Sequence, residues 1–118
     1  MAANPIDLTP ELQFDTERSA REITFRCIGR ITSSTSSLLQ EAVRNVIPEK
    51  KDIVLDLSNV AYMDSSGLGA LVSVWVSAKK AGCEVRLISL SQRVKELLHL
   101  TSLDKVFATS RFPDRPSF

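Results

Sequence analysis

The stretch AYMDSSGLGALV places two adjacent serines, Ser65 and Ser66, directly after Asp64 and before Gly67. Residues of these types could form a nucleophilic site, cap a helix or accept a phosphoryl group. A serine nucleophile needs an oriented base, and the one histidine of the chain, His99, falls on a predicted helix far along the sequence. The G-x-S-x-G pattern of a hydrolase elbow is not matched, because no glycine stands two residues before either serine. We therefore expect no acyl-transfer chemistry and no enzyme.

The glycines of this stretch do not complete a nucleotide-binding motif. The letters GLGALV give G-x-G, but Val72 occupies the third glycine position, where a bulky side chain would hinder close packing of helix on strand. No Walker A pattern occurs in the sequence, no histidines and cysteines have the spacing of a zinc site, and no acidic loop has the pattern of a calcium site. The sequence therefore predicts neither a cofactor nor a metal.

Two interpretations of the serines remain. In the structural one, Ser65 or Ser66 caps the following helix, while Gly67 and Gly69 let the backbone pass close to a neighbour. In the functional one, a phosphoserine at the helix N-terminus meets free N–H donors and the positive end of the helix dipole. The phosphate adds about −1.5 to −2 charges at pH 7, and Asp64 makes the local field more negative still. Such a modification would repel an acidic partner with little change of fold.

Composition limits the classes of protein to which this chain can belong. Its 118 residues indicate one domain. Fifteen basic residues against fourteen acidic ones give a net charge of +1, which argues against a nucleic-acid binder. Cys27 and Cys83 have no metal spacing and are expected to be small buried thiols. The opening MAANPIDLTP lacks the apolar segment of a signal peptide, and no run reaches the roughly 20 apolar residues of a bilayer span. We therefore expect a cytoplasmic protein with no direct membrane insertion.

Strands alternating with helices must position the serines. ELQFDTER and EITFRCIG alternate apolar and polar residues, as half-buried strands do. TSSTSSLLQEAVRNVIP predicts a helix with a serine or threonine cap, Leu38 on its buried stripe and Pro48 at its end. DIVLDL is predicted to be a central strand covered on both faces, and the helix that begins after the serines follows it. The remaining elements are a strand in CEVRLISL, a helix over SQRVKELLHL opened by Ser91, and a last short strand, KVFAT. The order β-β-α-β-α-β-α-β predicts an α/β fold. It is a single mixed, mostly parallel sheet with helices packed on it and the first strand antiparallel at an edge.

The helix after the serines has two candidate faces. Its predicted buried stripe has helical spacing and consists of Leu68, Leu71, Val72, Trp75 and Ala78. A second face of small, partly apolar residues consists of Gly67, Ala70, Val74, Ser77 and Ala81. This second face either packs on a neighbouring helix or exposes its N-terminal half, beside Ser65, to a partner. The sequence leaves both possibilities open.

The motifs above resemble those of the STAS domain, and most of all those of free-standing bacterial anti-sigma factor antagonists. VLDLSNVAYMDSSGLGALV is similar to the strand, the D-S-[ST]-G-[LI]-G loop and the helix of that family, and SLSQRVKELLHLTSLDKVF to its last helix and strand. FRCIGRIT is similar to its second strand, so that the resemblance extends from Leu12 to Ala108. It implies a STAS fold at 11–109 between flexible tails at 1–10 and 110–118.

The resemblance also implies a function without catalysis. Such domains bind an anti-sigma factor that is also a serine kinase, and thereby free a sigma factor for RNA polymerase. The kinase phosphorylates the serine directly after the motif aspartate, which is Ser65 here. The phosphorylated form releases the kinase, and a separate phosphatase restores binding. We expect a monomer or weak dimer whose partner-binding residues are Asp64, Ser66, Gly67, Leu68, Ala70, Val74, Thr32 and Ser33.

This sequence departs from the family pattern at two places. Thr32 stands where the family commonly has an acidic residue shortly after the glycine of its second strand, so partner choice or kinase recognition is expected to differ. Family members also often finish with another helix, which Pro113 and Pro116 argue against here. Two related functions stay open as alternatives. One is a STAS scaffold component of a larger signalling assembly, and the other is an accessory subunit of a lipid-transport ATPase complex.

Overall fold

The computed structural model describes residues 10–108. The strands are β1 (Leu12–Arg18), β2 (Glu22–Ile31), β3 (Asp52–Met63) and β4 (Val85–Ile88). The helices are α1 (Ser36–Val46), α2 (Ser65–Lys80), α3 (Gln92–Leu100) and α4 (Leu103–Ala108), with one short 3₁₀ turn at Ile47–Glu49. The predicted tails, 1–10 and 110–118, lie outside the described residues except for residue 10. The expectation about Pro113 and Pro116 lies there too.

The four strands form one mixed sheet in the order β1-β2-β3-β4. The edge strand β1 runs antiparallel to β2, whereas β2 with β3 and β3 with β4 are parallel. This confirms the predicted α/β class, the mostly parallel sheet and the antiparallel edge strand. Because β2 and β3 are parallel, their carboxyl ends meet at one edge of the sheet, and α1 and α2 both begin there.

The helices pack on one face of this sheet. One apolar cluster takes in alternate strand residues, among them Ile53, Leu55 and Leu57, together with buried residues of α1, α2, α3 and α4. Val54 is buried but lies outside that cluster, and the next residue on its face, Asp56, is paired with Arg26. The expectation that β3 is covered on both faces therefore holds only for its first residues, where Ile53, Val54 and Leu55 are all buried. The second face carries ion pairs instead.

The second half of β3 is bulged. Its register with β2 slips between Arg26 and Ile28 and again between Gly29 and Arg30, each time because β3 carries one extra residue. The alternation of buried and exposed residues is lost as a result, so that Ser58–Asn59 and Ala61–Tyr62 are exposed as pairs on either side of a buried Val60. Bulges of this kind re-aim the side chains at the end of a strand. Here they lie just before the serines.

The prediction of a final strand at KVFAT is wrong for the residues described. Residues 105–108 belong to α4, which follows a turn at Ser102 in the left-handed region (φ 60°). Leu103 and Phe107 stand four residues apart, so that a helix directs both toward the core, where Phe107 is fully buried. A short apolar segment fits both the two-residue period of a strand and the 3.6-residue period of a helix. Tertiary packing selects the helix here.

Two smaller expectations have different outcomes. Leu38 was predicted to lie on the buried stripe of α1, but its side chain is 45% exposed. Ser91 does open α3, because its hydroxyl oxygen accepts a hydrogen bond from the backbone N–H of Val94 at 3.4 Å. Within residues 10–108, no helix combines the length and hydropathy that a bilayer crossing requires.

Candidate functional site

The joint between β3 and α2 is capped by Asp64. This residue has extended backbone (φ −117°, ψ −168°), and its Oδ1 accepts hydrogen bonds from the backbone N–H groups of Ser66 at 2.9 Å and Gly67 at 3.2 Å. The expectation that Ser66 or Ser65 caps the helix is therefore wrong. Both serines already have helical backbone, so the residue before them occupies the cap position, and aspartate is among the preferred caps.

Ser65 is the first residue of α2 and is exposed, whereas Ser66 is half-buried. The hydroxyl of Ser65 makes no hydrogen bond to any described residue. The free N–H donors expected to hold a phosphate here are largely taken, since Asp64 accepts from both Ser66 and Gly67. The backbone N–H of Ser65 itself is the donor that remains. A phosphate on Ser65 would consequently stand beside a carboxylate and face solvent.

Gly67 lets the start of α2 rest directly on the end of β2. A Cβ at this position would overlap the carbonyl oxygen of Ile31 and lie 2.6 Å from Cγ of Met63. The backbone N–H of Asp64 also donates to the Ile31 carbonyl at 3.4 Å. No side chain larger than hydrogen fits without a shift of backbone. The close approach predicted for Gly67 is present, and it fixes the position of the serines relative to β2.

The loop between β2 and α1 begins directly after Ile31, the residue that Gly67 of α2 contacts. It holds Thr32, which is half-buried, and Ser33, which is exposed. Buried Thr35 fixes the loop, because its Oγ1 donates to the Arg30 carbonyl at 2.8 Å and accepts from the Thr32 N–H at 2.9 Å. Thr32 and Ser33 thus follow directly on Ile31, against which Gly67 packs. The structure brings this loop to the same edge of the sheet as Asp64 and Ser65.

The second face proposed for α2 is buried. Of its residues, Gly67, Ala70 and Val74 are buried, with Ala70 and Val74 each 1% exposed, and Ser77 and Ala81 are half-buried. Leu68, from the predicted buried stripe, is buried too. Helix α1 packs alongside, where the Ser73 hydroxyl lies 3.4 Å from Oε1 of Gln40. Of the two possibilities that the sequence left open, burial is the outcome. The expectation that the side chains of Ala70 and Val74 are available to a partner is wrong for this fold.

An exposed stripe begins instead at Ser65 on the opposite side of α2. We call it the Ser65 stripe, and its residues are Ser65, Gly69, Val72 and Val76. Gly69 is exposed with no atom within 4 Å of a Cβ built on it, Val72 is half-buried and Val76 is 39% exposed. Sequence reasoning missed this stripe because it assigned Val72 to the buried one. The spacing i, i+4, i+7, i+11 from Ser65 could have found it.

The two cysteines and the histidine are the other groups that were considered for chemistry. Cys27 and Cys83 are free and buried, as predicted. Burial raises the pKa of the Cys27 thiol to about 12, with a further contribution from the charge of Asp56, so this thiol stays neutral. The His99 side chain is 83% exposed, with Nδ1 3.5 Å from the Asp104 carboxylate. Among residues 10–108 there is no group of three or more His, Cys, Asp or Glu side chains that could hold a metal ion.

Comparison with known proteins gives consistent matches across most of the chain. The family model of the STAS domain matches residues 13–115. An anti-sigma-B factor antagonist of Bacillus subtilis strain 168 is 28% identical over 99 residues, which cover 84% of this chain and 91% of that protein. A protein of the same name from Listeria monocytogenes is 36% identical over 92 residues, covering 76% of this chain and 80% of that protein.

The fold also matches solved structures. The crystal structure of an anti-sigma factor antagonist from Mycobacterium paratuberculosis superimposes with a TM-score of 0.73 at 25% sequence identity. The match covers 84% of this chain and 86% of that one.

Proposed function

This chain belongs to the STAS domain family, and we propose that within it the protein acts as an anti-sigma factor antagonist. It would bind an anti-sigma factor that is also a serine kinase and so free a sigma factor for RNA polymerase. Phosphorylation of Ser65 would end that binding, and a phosphatase acting on phospho-Ser65 would restore it. This exchange belongs in the cytoplasm, where RNA polymerase works. The names of the relatives favour this function over the scaffold and lipid-transport alternatives.

One observation carries the proposal: Ser65 is an exposed hydroxyl in a fixed backbone. Its neighbour Asp64 holds the first turn of α2 through two hydrogen bonds, and Gly67 anchors that turn on β2. A kinase would therefore meet Ser65 in one conformation, with the hydroxyl free. The half-buried Ser66 is a poorer substrate on the same grounds.

The partner surface that fits this site is the Ser65 stripe together with Thr32 and Ser33. Ser65, Thr32 and Ser33 lie at the edge where α1 and α2 begin, and the stripe extends from there along α2 to Val76 and is largely apolar beyond Ser65. Asp64 and Ser66 lie beside this surface. The buried residues on the core side of α2 hold the helix in place, and they are Gly67, Leu68, Ala70 and Val74. Apolar anchors surrounded by small and polar residues are typical of protein–protein contacts.

The switch acts through charge at the end of this surface. Transfer of the γ-phosphoryl group of ATP to Oγ of Ser65 adds about −1.5 to −2 charges. The two N–H groups that could have balanced that charge are engaged by Asp64. The modified surface would therefore repel an acidic partner and resist desolvation, with the helix and its cap unchanged.

We expect Val76→Glu to weaken capture of an anti-sigma factor at least about tenfold, because it places a charge in the apolar part of the stripe. Leu100→Glu is the matched control, since Leu100 is also exposed (79%) but lies at the end of α3. The measurement uses the purified full chain on a resin, cytoplasmic extract from the source organism, and quantitative mass spectrometry of the retained proteins. Failure of the wild-type chain to retain any anti-sigma factor, or equal losses with both variants, would contradict the proposal.

A further inference from the structure

A groove between the second half of β3 and the start of α3 has no place in the function proposed above. It runs along β3 beyond the point where β4 stops, because the last pair of the two strands is Asp56 with Ile88. After that pair, the backbone N–H of Ser91 donates to the Leu57 carbonyl at 3.3 Å. From Ser58 to Tyr62, this edge of β3 has no strand beside it in the described part of the chain.

The groove has a volume of about 390 Å³ and lies between this edge and the start of α3. Its described lining consists of Ser58, Asn59, Val60, Ala61, Ser91 and Arg93. The two bulges of β3 turn Ser58, Asn59 and Ala61 outward at this place. An unpaired edge is normally blunted by a lysine, a proline, a bulge or a covering segment. This stretch carries the two bulges but no lysine or proline, and the start of α3 leaves the groove open beside it.

Arg93 gives the groove its charge. It is the one ionised side chain among the described lining residues, and its guanidinium lies 5.1 Å from the ring centroid of Tyr62. Its buried Nε has no hydrogen-bond partner, and the guanidinium makes no ion pair with any residue in 10–108. The nearest acid along the strand, Asp56, is already engaged by Ser58 and Arg26. Stacking on Tyr62 thus holds a guanidinium that has no ion-pair partner among residues 10–108.

We propose that this groove binds a short extended peptide segment carrying an acidic side chain, by addition to the free edge of β3. Four lining residues in a row, Ser58–Ala61, offer about 13 Å of strand backbone. Main-chain hydrogen bonds to this edge supply the binding mode known from other edge-strand recognition. A carboxylate of the segment pairs with Arg93, which supplies the direction and the selectivity. The described lining of the groove does not include Ser65, so this binding would use a surface that the function proposed above leaves unused.

The experiment uses two blocked five-residue peptides, Thr-Val-Glu-Val-Thr and its counterpart with lysine in the centre. Each is titrated into the isotope-labelled full chain, and amide shifts are followed by two-dimensional NMR. We expect the glutamate peptide to move the amides of Ser58–Tyr62 and Arg93, and the lysine peptide to bind at least about tenfold more weakly. Arg93→Gln should weaken the glutamate peptide by about the same factor, and Arg44→Gln, an exposed arginine on α1, should not.

Four results would overturn the proposal. One is that the amides that shift lie outside the groove. Another is that the two peptides bind equally to the wild-type chain, a comparison that does not depend on the folding of any variant. The third is reproduction of the same shifts by sodium acetate alone, which would make the groove a simple anion site. A glutamate peptide methylated at its central backbone nitrogens provides the last arm. We expect it to lose binding, and retention would show that the edge of β3 is not used.

Discussion

Replacing Gly67 with alanine is expected to lower the free energy of unfolding by about 2 kcal/mol. The added methyl would overlap the Ile31 carbonyl and press on Met63, both of which belong to the fixed ends of strands. Because the overlap is with backbone, the cost lies at the upper end of the range of about 1 to 3 kcal/mol for overpacking. The gain of up to about 1 kcal/mol from alanine in a helix then leaves a net loss of about 2 kcal/mol. Urea unfolding followed by circular dichroism measures the difference.

Gly69 provides the matched control, because it lies in the same helix but has open space where a Cβ would stand. Gly69→Ala is expected to raise the free energy of unfolding by about 0.5 to 1 kcal/mol, since alanine restricts the unfolded chain and favours the helix. If both substitutions stabilised the chain, the contact between α2 and the end of β2 would be looser than described here. Equal losses at both positions would contradict the assignment of Gly69 to an open surface.

Ser65→Asp is expected to weaken binding of the anti-sigma factor by about a hundredfold, which corresponds to about 2.7 kcal/mol. The new carboxylate stands beside Asp64, whose oxygen already accepts from the two nearest backbone N–H groups. Its charge therefore has little compensation within the domain, and like charges brought together at an interface cost several kcal/mol. Isothermal titration calorimetry with the purified partner measures the change.

Ser65→Asn separates charge from shape in this experiment, because asparagine has nearly the same size as aspartate and no charge. We expect it to bind within about threefold of the wild-type chain, in keeping with the weak effect of a neutral change at an interface rim. Equal weakening by both substitutions would mean that space and not charge governs the switch. Unchanged affinity for Ser65→Asp would remove Ser65 from the partner surface altogether.

Much of the fold could be predicted from the sequence, because the signals are local. The alternation in β1 and β2 and the apolar run of β3 identify strands regardless of what packs on them. KVFAT was mistaken for a strand, because five residues are too few to distinguish the period of a strand from that of a helix. The burial of Phe107 in the core decides the outcome. The bulges of β3 also escaped prediction, because they depend on its register with β2.

The residues of the site could be predicted from the sequence, but their geometry could not. The motif identified Ser65, yet it did not show which residue caps α2, since serine and aspartate are both good caps. The backbone of Asp64 settles that point. Several of the residues predicted to bind a partner, among them Ala70 and Val74, are buried, because two sets of apolar residues share the helix. The burial of Ala70 and Val74 in the folded domain distinguishes the sets, and it depends on tertiary packing that periodicity does not contain.

The proposed switch depends on Ser65 as the residue that accepts phosphate. The most direct measurement is incubation of the wild-type chain, Ser65→Ala and Ser66→Ala with the purified anti-sigma factor and ATP, followed by mass spectrometry of the phosphopeptides. We predict one phosphate on Ser65 in the wild-type chain and in Ser66→Ala, and none in Ser65→Ala. Phosphate on Ser66, or labelling of Ser65→Ala as strong as that of the wild-type chain, would contradict the account.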